Sequence, residues 1–126
     1  MGGGSWGDGR ATLRVAGAGG RVAGGRGIPL EVAASYRART RGLLGRDGID
    51  GAMLLTPAAS VHTLGMRFSI DVAYLDRGLR VLAVRAMPPG RVGLPRLRAR
   101  HVLEAEAGTM GVWGLGVGVR VEVELP

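Results

Sequence analysis

The sequence contains no cysteine, lysine, asparagine or glutamine, and only 4% of its residues are aromatic. The absence of cysteine excludes disulfide frameworks, thiolate nucleophiles and cysteine-based zinc sites. The shortage of aromatic side chains means that the hydrophobic core is built mainly from valine, leucine, alanine and methionine. No apolar run reaches the roughly 18 residues of a membrane-spanning helix, and the first residues contain no basic or apolar signal region. We therefore expect a cytoplasmic protein with no membrane span.

The 126 residues fit one domain, because a chain of this length can bury roughly two-thirds of the surface that it exposes when unfolded. Residues 1–9 are rich in glycine and offer little to bury, which predicts a disordered tail before a single β domain over residues 10–126. The net charge is +7, and all 17 basic residues are arginine. These arginines are spread along the chain without interleaved aromatic residues, a pattern that disfavours nucleic-acid binding. A GC-rich coding bias explains the composition as well as a polyanionic partner does.

Alternating apolar and polar residues predict a series of short β-strands. Between Met66 and Asp76, one face is apolar throughout and the other carries Arg67 and Asp71. Pro29 lacks an N–H group, so the start of the strand that contains it is expected at a sheet edge. The remaining strands are predicted at residues 10–16, 20–23, 28–34, 52–56, 79–87, 101–107 and 117–125. Together with one short helix, these short strands predict a mainly β fold, either a small β-sandwich or a partly open barrel.

The one predicted helix follows Ser35, whose side chain is a good N-cap. Tyr36, Thr40 and Leu44 recur at helical spacing after it. Gly45 can end the helix in a left-handed conformation.

Three groups of motifs occur in order over about residues 31–121. They are Thr40-Arg41-Gly42-Leu43-Leu44-Gly45-Arg46 followed by Gly51-Ala52-Met53-Leu54-Leu55; Val61-His62-Thr63-Leu64-Gly65-Met66-Arg67-Phe68-Ser69-Ile70-Asp71-Val72 followed by Leu75-Asp76; and Val102-Leu103-Glu104 with Ala107-Gly108. Together they resemble the family called domain of unknown function 192 (DUF192), an uncharacterised protein family. The chain departs from the family pattern in two respects: Gly118 is followed by Val119 where the family usually has Gly-Asp, and Ser69 stands where a proline is common.

The resemblance implies a compact, mainly β fold of the sandwich type. It implies no activity, since the family has no established biochemical function. Many relatives carry export or lipoprotein signals, which implies an association of those members with the cell envelope, and this chain shows no such signal.

His62 and Thr63 lie in the densest of these motifs. Histidine is the side chain best suited to proton transfer near neutral pH. The alternative, which we favour, is a histidine that fixes its own loop through a hydrogen bond to the backbone. His101 is far from His62 in the sequence and no ligand spacing such as His-Glu-x-x-His occurs. We therefore expect no metal and no cofactor.

Four charged residues of the motifs are candidates for a polar network. Arg67 and Asp71 share a strand face but lie about 13 Å apart, too far to neutralise each other directly. An unpaired buried carboxylate is costly, so we expect Arg41 of the helix motif to pair with Asp71. Glu104, which has apolar neighbours, is the next acid expected to join this network.

We interpret these residues as the polar pocket of a non-enzymatic binding or accessory protein, whose partner is an unknown small ligand or protein. The candidate pocket residues are Arg41, His62, Thr63, Arg67, Asp71 and Glu104. A second hypothesis is a small hydrolase-like or metal-assisted enzyme with His62 as base, which requires Asp71 or Glu104 within hydrogen-bond reach of the imidazole. A third is a polyanion binder, whose affinity would fall steeply with salt. That binder would use the arginines of a proline-rich loop, namely Arg91, Arg96, Arg98 and Arg100.

Overall fold

The computed structural model describes residues 6–16 and 27–126. The elements in this part follow the chain as β1 (Gly9–Val15), β2 (Ile28–Ala33), α1 (Tyr36–Arg41), β3 (Ala52–Leu55), β4 (Ile70–Leu75), β5 (Val81–Met87), β6 (His101–Glu106), α2 (Thr109–Val112) and β7 (Val121–Glu124). The strands form one seven-stranded sheet in the order β5-β4-β6-β3-β2-β1-β7. The β2–β3 pair is parallel and the other five pairs are antiparallel. Within the described ranges, neither helix has the length and apolar character needed to cross a bilayer.

The two edge strands of the sheet approach each other at one end. The Val81 N–H donates a hydrogen bond to the Val119 carbonyl at 2.8 Å, and the Gly118 N–H donates to the Val81 carbonyl at 2.9 Å. Arg80 and Arg120 form an antiparallel bridge, and Arg80 Nη1 donates to the Gly118 carbonyl at 2.7 Å. The sheet therefore curls into a half-barrel, and the prediction of a mainly β, partly open barrel is confirmed.

Both faces of the central strands are buried, so the curled sheet has two apolar clusters. The inner cluster fills the half-barrel and includes Met110 of α2 and Leu115, which follows that helix. The outer cluster lies beneath α1 and the loops on the opposite face. Along β4, Val72 and Tyr74 belong to the outer cluster and Ala73 to the inner one, as the alternation predicts.

Two predicted strands are shorter in the structure. The strand predicted from Met66 begins only at Ile70, and the Met66 N–H instead closes a turn onto the Thr63 carbonyl at 3.1 Å. The strand predicted over residues 117–125 is reduced to Val121–Glu124, because Gly118 has a positive φ of 91° and closes the barrel against β5. The strand predicted at residues 20–23 lies outside the described residues.

Strand β2 lies between β1 and β3, but its first two residues, Ile28 and Pro29, have no partner in β3, which agrees with the edge expected at the start of this strand. Pro29 pairs with Thr12 of β1, whereas the ladder with β3 starts one residue later, at Leu30. The proline is therefore tolerated in an interior strand because it sits just before the parallel pairing begins.

Ser35 is the N-cap of α1, as predicted, and its Oγ accepts a hydrogen bond from the Ala38 N–H at 3.1 Å. The helix ends at Gly42, which has a φ of 47°, rather than at Gly45. Leu43 therefore belongs to the turn after the helix, where it is buried in the outer cluster. The second helix, α2, is an addition to the single helix that the sequence predicts.

The segment before β1 packs against the domain. The Trp6 and His101 rings meet edge to face, with their centroids 5.6 Å apart. The Asp8 carboxylate accepts hydrogen bonds from the N–H groups of Ala34 (2.6 Å) and Ser35 (2.8 Å), and from Ser35 Oγ (2.6 Å). Residues 6–9 of the predicted tail therefore belong to the folded domain, whereas residues 1–5 lie outside the described residues.

Candidate functional site

A small cavity of about 90 Å³ opens between α1, the loop before β4 and strand β6. We call it the Glu104 pocket. Its polar lining residues are Arg39, Thr40, Arg41, Ser60, His62 and Glu104. Leucine, valine and methionine side chains of the outer cluster form the rest of its wall. Three of the six residues predicted for a polar site therefore line one cavity: Arg41, His62 and Glu104.

Glu104 lies in β6, paired with Met53 of β3 and Val72 of β4. Only 3% of the residue is exposed. No hydrogen bond or ion pair reaches its carboxyl group from any residue that the structure describes. Burial without a compensating partner raises the pKa of Glu104 to about 7. Near neutral pH this carboxyl group is therefore divided between its charged and its neutral form.

Arg39 of α1 also lines the Glu104 pocket, and it too has a polar atom without a hydrogen-bond partner among the described residues. Its Nη1 donates a hydrogen bond to the Pro57 carbonyl at 3.1 Å, but its buried Nε has no hydrogen-bond partner in the part of the chain that the structure describes. Among the described residues, the only other fully buried side-chain nitrogen or oxygen in this condition is Nε of Arg96. Arg39 is not among the predicted site residues, because its only signal in the sequence is a position two residues before Arg41 of the helix motif.

His62 is exposed, and its Nδ1 accepts a hydrogen bond from the Leu64 N–H at 3.3 Å. This bond holds the turn in which His62 lies, which is the structural role that the sequence analysis favours. Neither Asp71 nor Glu104 is hydrogen-bonded to the imidazole in the part of the chain described. The requirement stated for His62 as a general base is therefore not met.

Thr63 is fully buried but does not line the Glu104 pocket. Its Oγ1 donates a hydrogen bond to the Pro88 carbonyl at 2.6 Å and accepts one from the Arg91 N–H at 2.9 Å. Its backbone N–H also donates to the Arg91 carbonyl at 2.8 Å. The hydrogen bonds of Thr63 therefore connect the loop after β5 with the loop before β4.

Arg67 and Asp71 lie away from the pocket. Arg67 makes a surface ion pair with Asp47, with 3.3 Å between Nη1 and Oδ1. Asp71 accepts a hydrogen bond from the Met110 N–H at 3.1 Å and is only 8% exposed. The expected pair between Asp71 and Arg41 does not form, because alternation along β4 turns Asp71 to the inner face while Arg41 lies over the outer one.

A second, larger cavity of about 790 Å³ lies at the end of β1 and β2 and is lined by none of the candidate residues. Its walls include Val15 and Gly27, which adjoin residues 17–26, a segment outside the described residues. Within the described ranges, no three histidine or acidic side chains are grouped closely enough to hold a metal ion.

Two solved structures share this fold. A chain described as a candidate transcription regulator, from Sinorhizobium meliloti, matches with a TM-score of 0.78 and 20% identity over 95% of this chain and 98% of that one. A protein of unknown function from Novosphingobium aromaticivorans matches with a TM-score of 0.74 and 22% identity over 88% of this chain and 83% of that one. At these identities the likeness concerns the fold alone.

Archaeal relatives resemble the chain in sequence. The UPF0127 protein of Pyrococcus horikoshii is 32% identical over 84 residues, which cover 63% of this chain and 73% of the relative. The UPF0127 protein of Pyrococcus abyssi is 30% identical over 98 residues, which cover 74% of this chain and 84% of the relative. Residues 20–123 match the DUF192 family, which is described as an uncharacterised ACR, and the resemblance of the motifs is confirmed. The chain belongs to the DUF192 family of uncharacterised proteins.

Proposed function

We propose that the protein is a non-enzymatic binding protein and that the Glu104 pocket takes the head group of a small zwitterion. One observation carries the proposal: a buried carboxyl group and a half-buried arginine whose buried Nε has no partner among the described residues line a single cavity. Buried polar groups are nearly always hydrogen-bonded, because leaving one unsatisfied costs about 1–3 kcal/mol. A ligand that supplies both missing partners accounts for the presence of Glu104 and Arg39.

The two groups favour opposite ends of a ligand. An ionised Glu104 only accepts hydrogen bonds, so it suits an ammonium group. Arg39 is permanently cationic and its Nε is a donor, so it suits a carboxylate, and the exposed Arg41 adds a second guanidinium to the lining of the pocket. A cavity of about 90 Å³ has room for the few heavy atoms of an amino-acid head group. Leu43 and Leu55 supply an apolar wall for a short aliphatic side chain.

Isothermal titration calorimetry of the full chain at pH 8 tests the proposal. The probes are glycine and L-alanine, with methylammonium and acetate each carrying only one of the two charged ends. We expect heat of binding from glycine or L-alanine and at least about tenfold weaker binding of either half-ligand, since each loses a charge-assisted hydrogen bond. Wild-type protein that binds neither amino acid contradicts the proposal.

Variants connect the measured binding to the pocket. Glu104→Gln keeps the shape of the side chain but removes the charge, and it should weaken glycine binding about tenfold or more. Glu106→Gln is the matched control, because Glu106 lies two residues further along β6 and is exposed. Binding that is equal in the wild type and in Glu104→Gln would place the ligand elsewhere and overturn the assignment.

A further inference from the structure

The loop after β5 presents three large aliphatic side chains to solvent. We call residues 91–98, with the sequence Arg-Val-Gly-Leu-Pro-Arg-Leu-Arg, the apolar-basic loop. Val92 is 71% exposed, Leu94 82% and Leu97 94%. Exposed aliphatic residues scattered singly are ordinary, but three in six consecutive residues of one loop form a patch of the kind that marks an interaction site.

The backbone of the apolar-basic loop is held in place by the loop before β4. The Gly93 N–H donates to the Val61 carbonyl at 2.8 Å, and the Arg96 N–H donates to the Ala59 carbonyl at 2.9 Å. Buried Thr63 bonds both Arg91 and the residue Pro88 just before the loop. These contacts fix the chain on its inner side, so the outward direction of Val92, Leu94 and Leu97 is part of the fold.

The charged residues of the chain segment that contains this loop all have the same sign. Between Asp76 and Glu104 the sequence contains seven arginines and no acidic residue. Arg91 and Arg98, at the two ends of the loop, are exposed and their guanidinium groups pair with no residue that the structure describes. Arg96 is engaged differently, because its guanidinium lies over the Tyr74 ring, 4.8 Å from the centroid. A partner for this surface must therefore combine negative charge with an apolar layer.

We propose that the apolar-basic loop docks the protein onto the surface of an anionic lipid bilayer. In such an interface, Leu94 and Leu97 enter the boundary between headgroups and acyl chains while Arg91 and Arg98 contact lipid phosphates. A nucleic acid satisfies the arginines but offers no apolar layer to three aliphatic side chains, so it fits the surface less well. The inference is independent of the Glu104 pocket, because neither leucine lines that cavity.

Co-sedimentation of the full chain with lipid vesicles tests the docking surface. One set of vesicles contains phosphatidylcholine alone, and the other contains equal parts of phosphatidylcholine and phosphatidylglycerol. We expect binding to the anionic vesicles only, and binding that weakens as salt is added. Replacing both leucines, Leu94→Ser with Leu97→Ser, should lower the fraction bound about tenfold, because it removes the inserted apolar area.

Two further double variants show whether vesicle binding depends on this loop in particular. Replacing Val112 and Val117 by serine is the matched control, because these side chains are 85% and 74% exposed on other parts of the surface, and it should leave vesicle binding unchanged. Replacing Arg91 and Arg98 by serine should weaken binding and flatten its dependence on salt. Wild-type protein that does not sediment with anionic vesicles overturns the proposal. So does binding to duplex DNA with full retention in the double-leucine variant and no binding to vesicles.

Discussion

The carboxyl group of Glu104 is buried and no cation among the described residues is paired to it, so it binds a proton more tightly in the folded protein than in the unfolded chain. Its pKa rises from 4.5 to about 7. The stabilisation by this proton is complete below the unfolded pKa of 4.5 and is lost as the pH rises through about 7. We expect Glu104→Gln to gain about 2–3 kcal/mol in free energy of unfolding relative to the wild type between pH 5 and pH 8. Urea unfolding at the two pH values measures this change.

The comparison must be made between variants because His101 also titrates. Burial, above all, lowers the pKa of His101, so its contribution to stability is present above the unfolded pKa and is lost as the pH falls through the lower folded value. This effect is common to the wild type and Glu104→Gln and cancels in their difference. Glu106→Gln, on the same strand but exposed, should follow the wild-type profile. Parallel pH profiles for the wild type and Glu104→Gln would contradict the prediction.

The Thr63 hydroxyl joins two loops, because it donates to the Pro88 carbonyl and accepts from the Arg91 N–H. Thr63→Val keeps the shape of the side chain but removes both bonds, so we expect the free energy of unfolding to fall by about 1–3 kcal/mol. We also expect faster hydrogen exchange at the Arg91 amide, measured by NMR. Thr40→Val is the control, since it removes only a hydroxyl bonded within α1, and it should change stability by less than about 0.5 kcal/mol. Equal effects of the two variants would refute the role of Thr63.

At the scale of the element, α1 is six residues long and has no buried residue of its own, so its ends matter for its formation. Ser35 Oγ accepts from the Ala38 N–H and donates to Asp8, and the bond from the Ser35 side chain is the main reason that the pKa of Asp8 is lowered. Ser35→Ala should therefore lower the free energy of unfolding by about 1 kcal/mol. Chemical denaturation measures the loss, and Ser35→Asn, which retains a capping oxygen, should recover most of it.

The same local chemistry explains which elements the sequence predicts. The start of α1 is predicted correctly because the cap is a contact between near neighbours, Ser35 and Ala38. Helix α2 is missed because it has only four residues, one of them Gly111, and so presents no helical period. The last strand is overestimated because residues 117–120 alternate like a strand but are used in closing the barrel against β5. The contact between this segment and β5 joins residues that are far apart in the sequence, so a local sequence pattern does not predict it.

At the scale of the whole molecule, two features decide which candidate residues line the pocket: the face of the sheet to which each side chain points, and the order of the strands in the sheet. The alternation of side chains along β4 can be predicted from the sequence, and it puts Asp71 on the face opposite to Tyr74. The order of the strands in the sheet cannot be predicted from such a local pattern. The order β4-β6-β3 brings Glu104 beneath the turn after α1, next to Arg41 and His62. The family motifs therefore identified residues of the pocket, whereas the pairing of Asp71 with Arg41 required a proximity that the curled sheet does not provide.

The interior of the half-barrel is packed with apolar side chains, and Met110 is one of them. Met110 is fully buried and is the one buried residue of α2, where it packs with strand residues of the inner cluster. Met110→Ala leaves a cavity in the half-barrel, so we expect the free energy of unfolding to fall by about 2–5 kcal/mol. Val112→Ala is the control in the same helix, because Val112 is 85% exposed, and it should change stability by less than about 0.5 kcal/mol. Urea unfolding of both variants measures the contrast. Losses of similar size would mean that α2 stabilises the fold through its backbone rather than by filling the half-barrel.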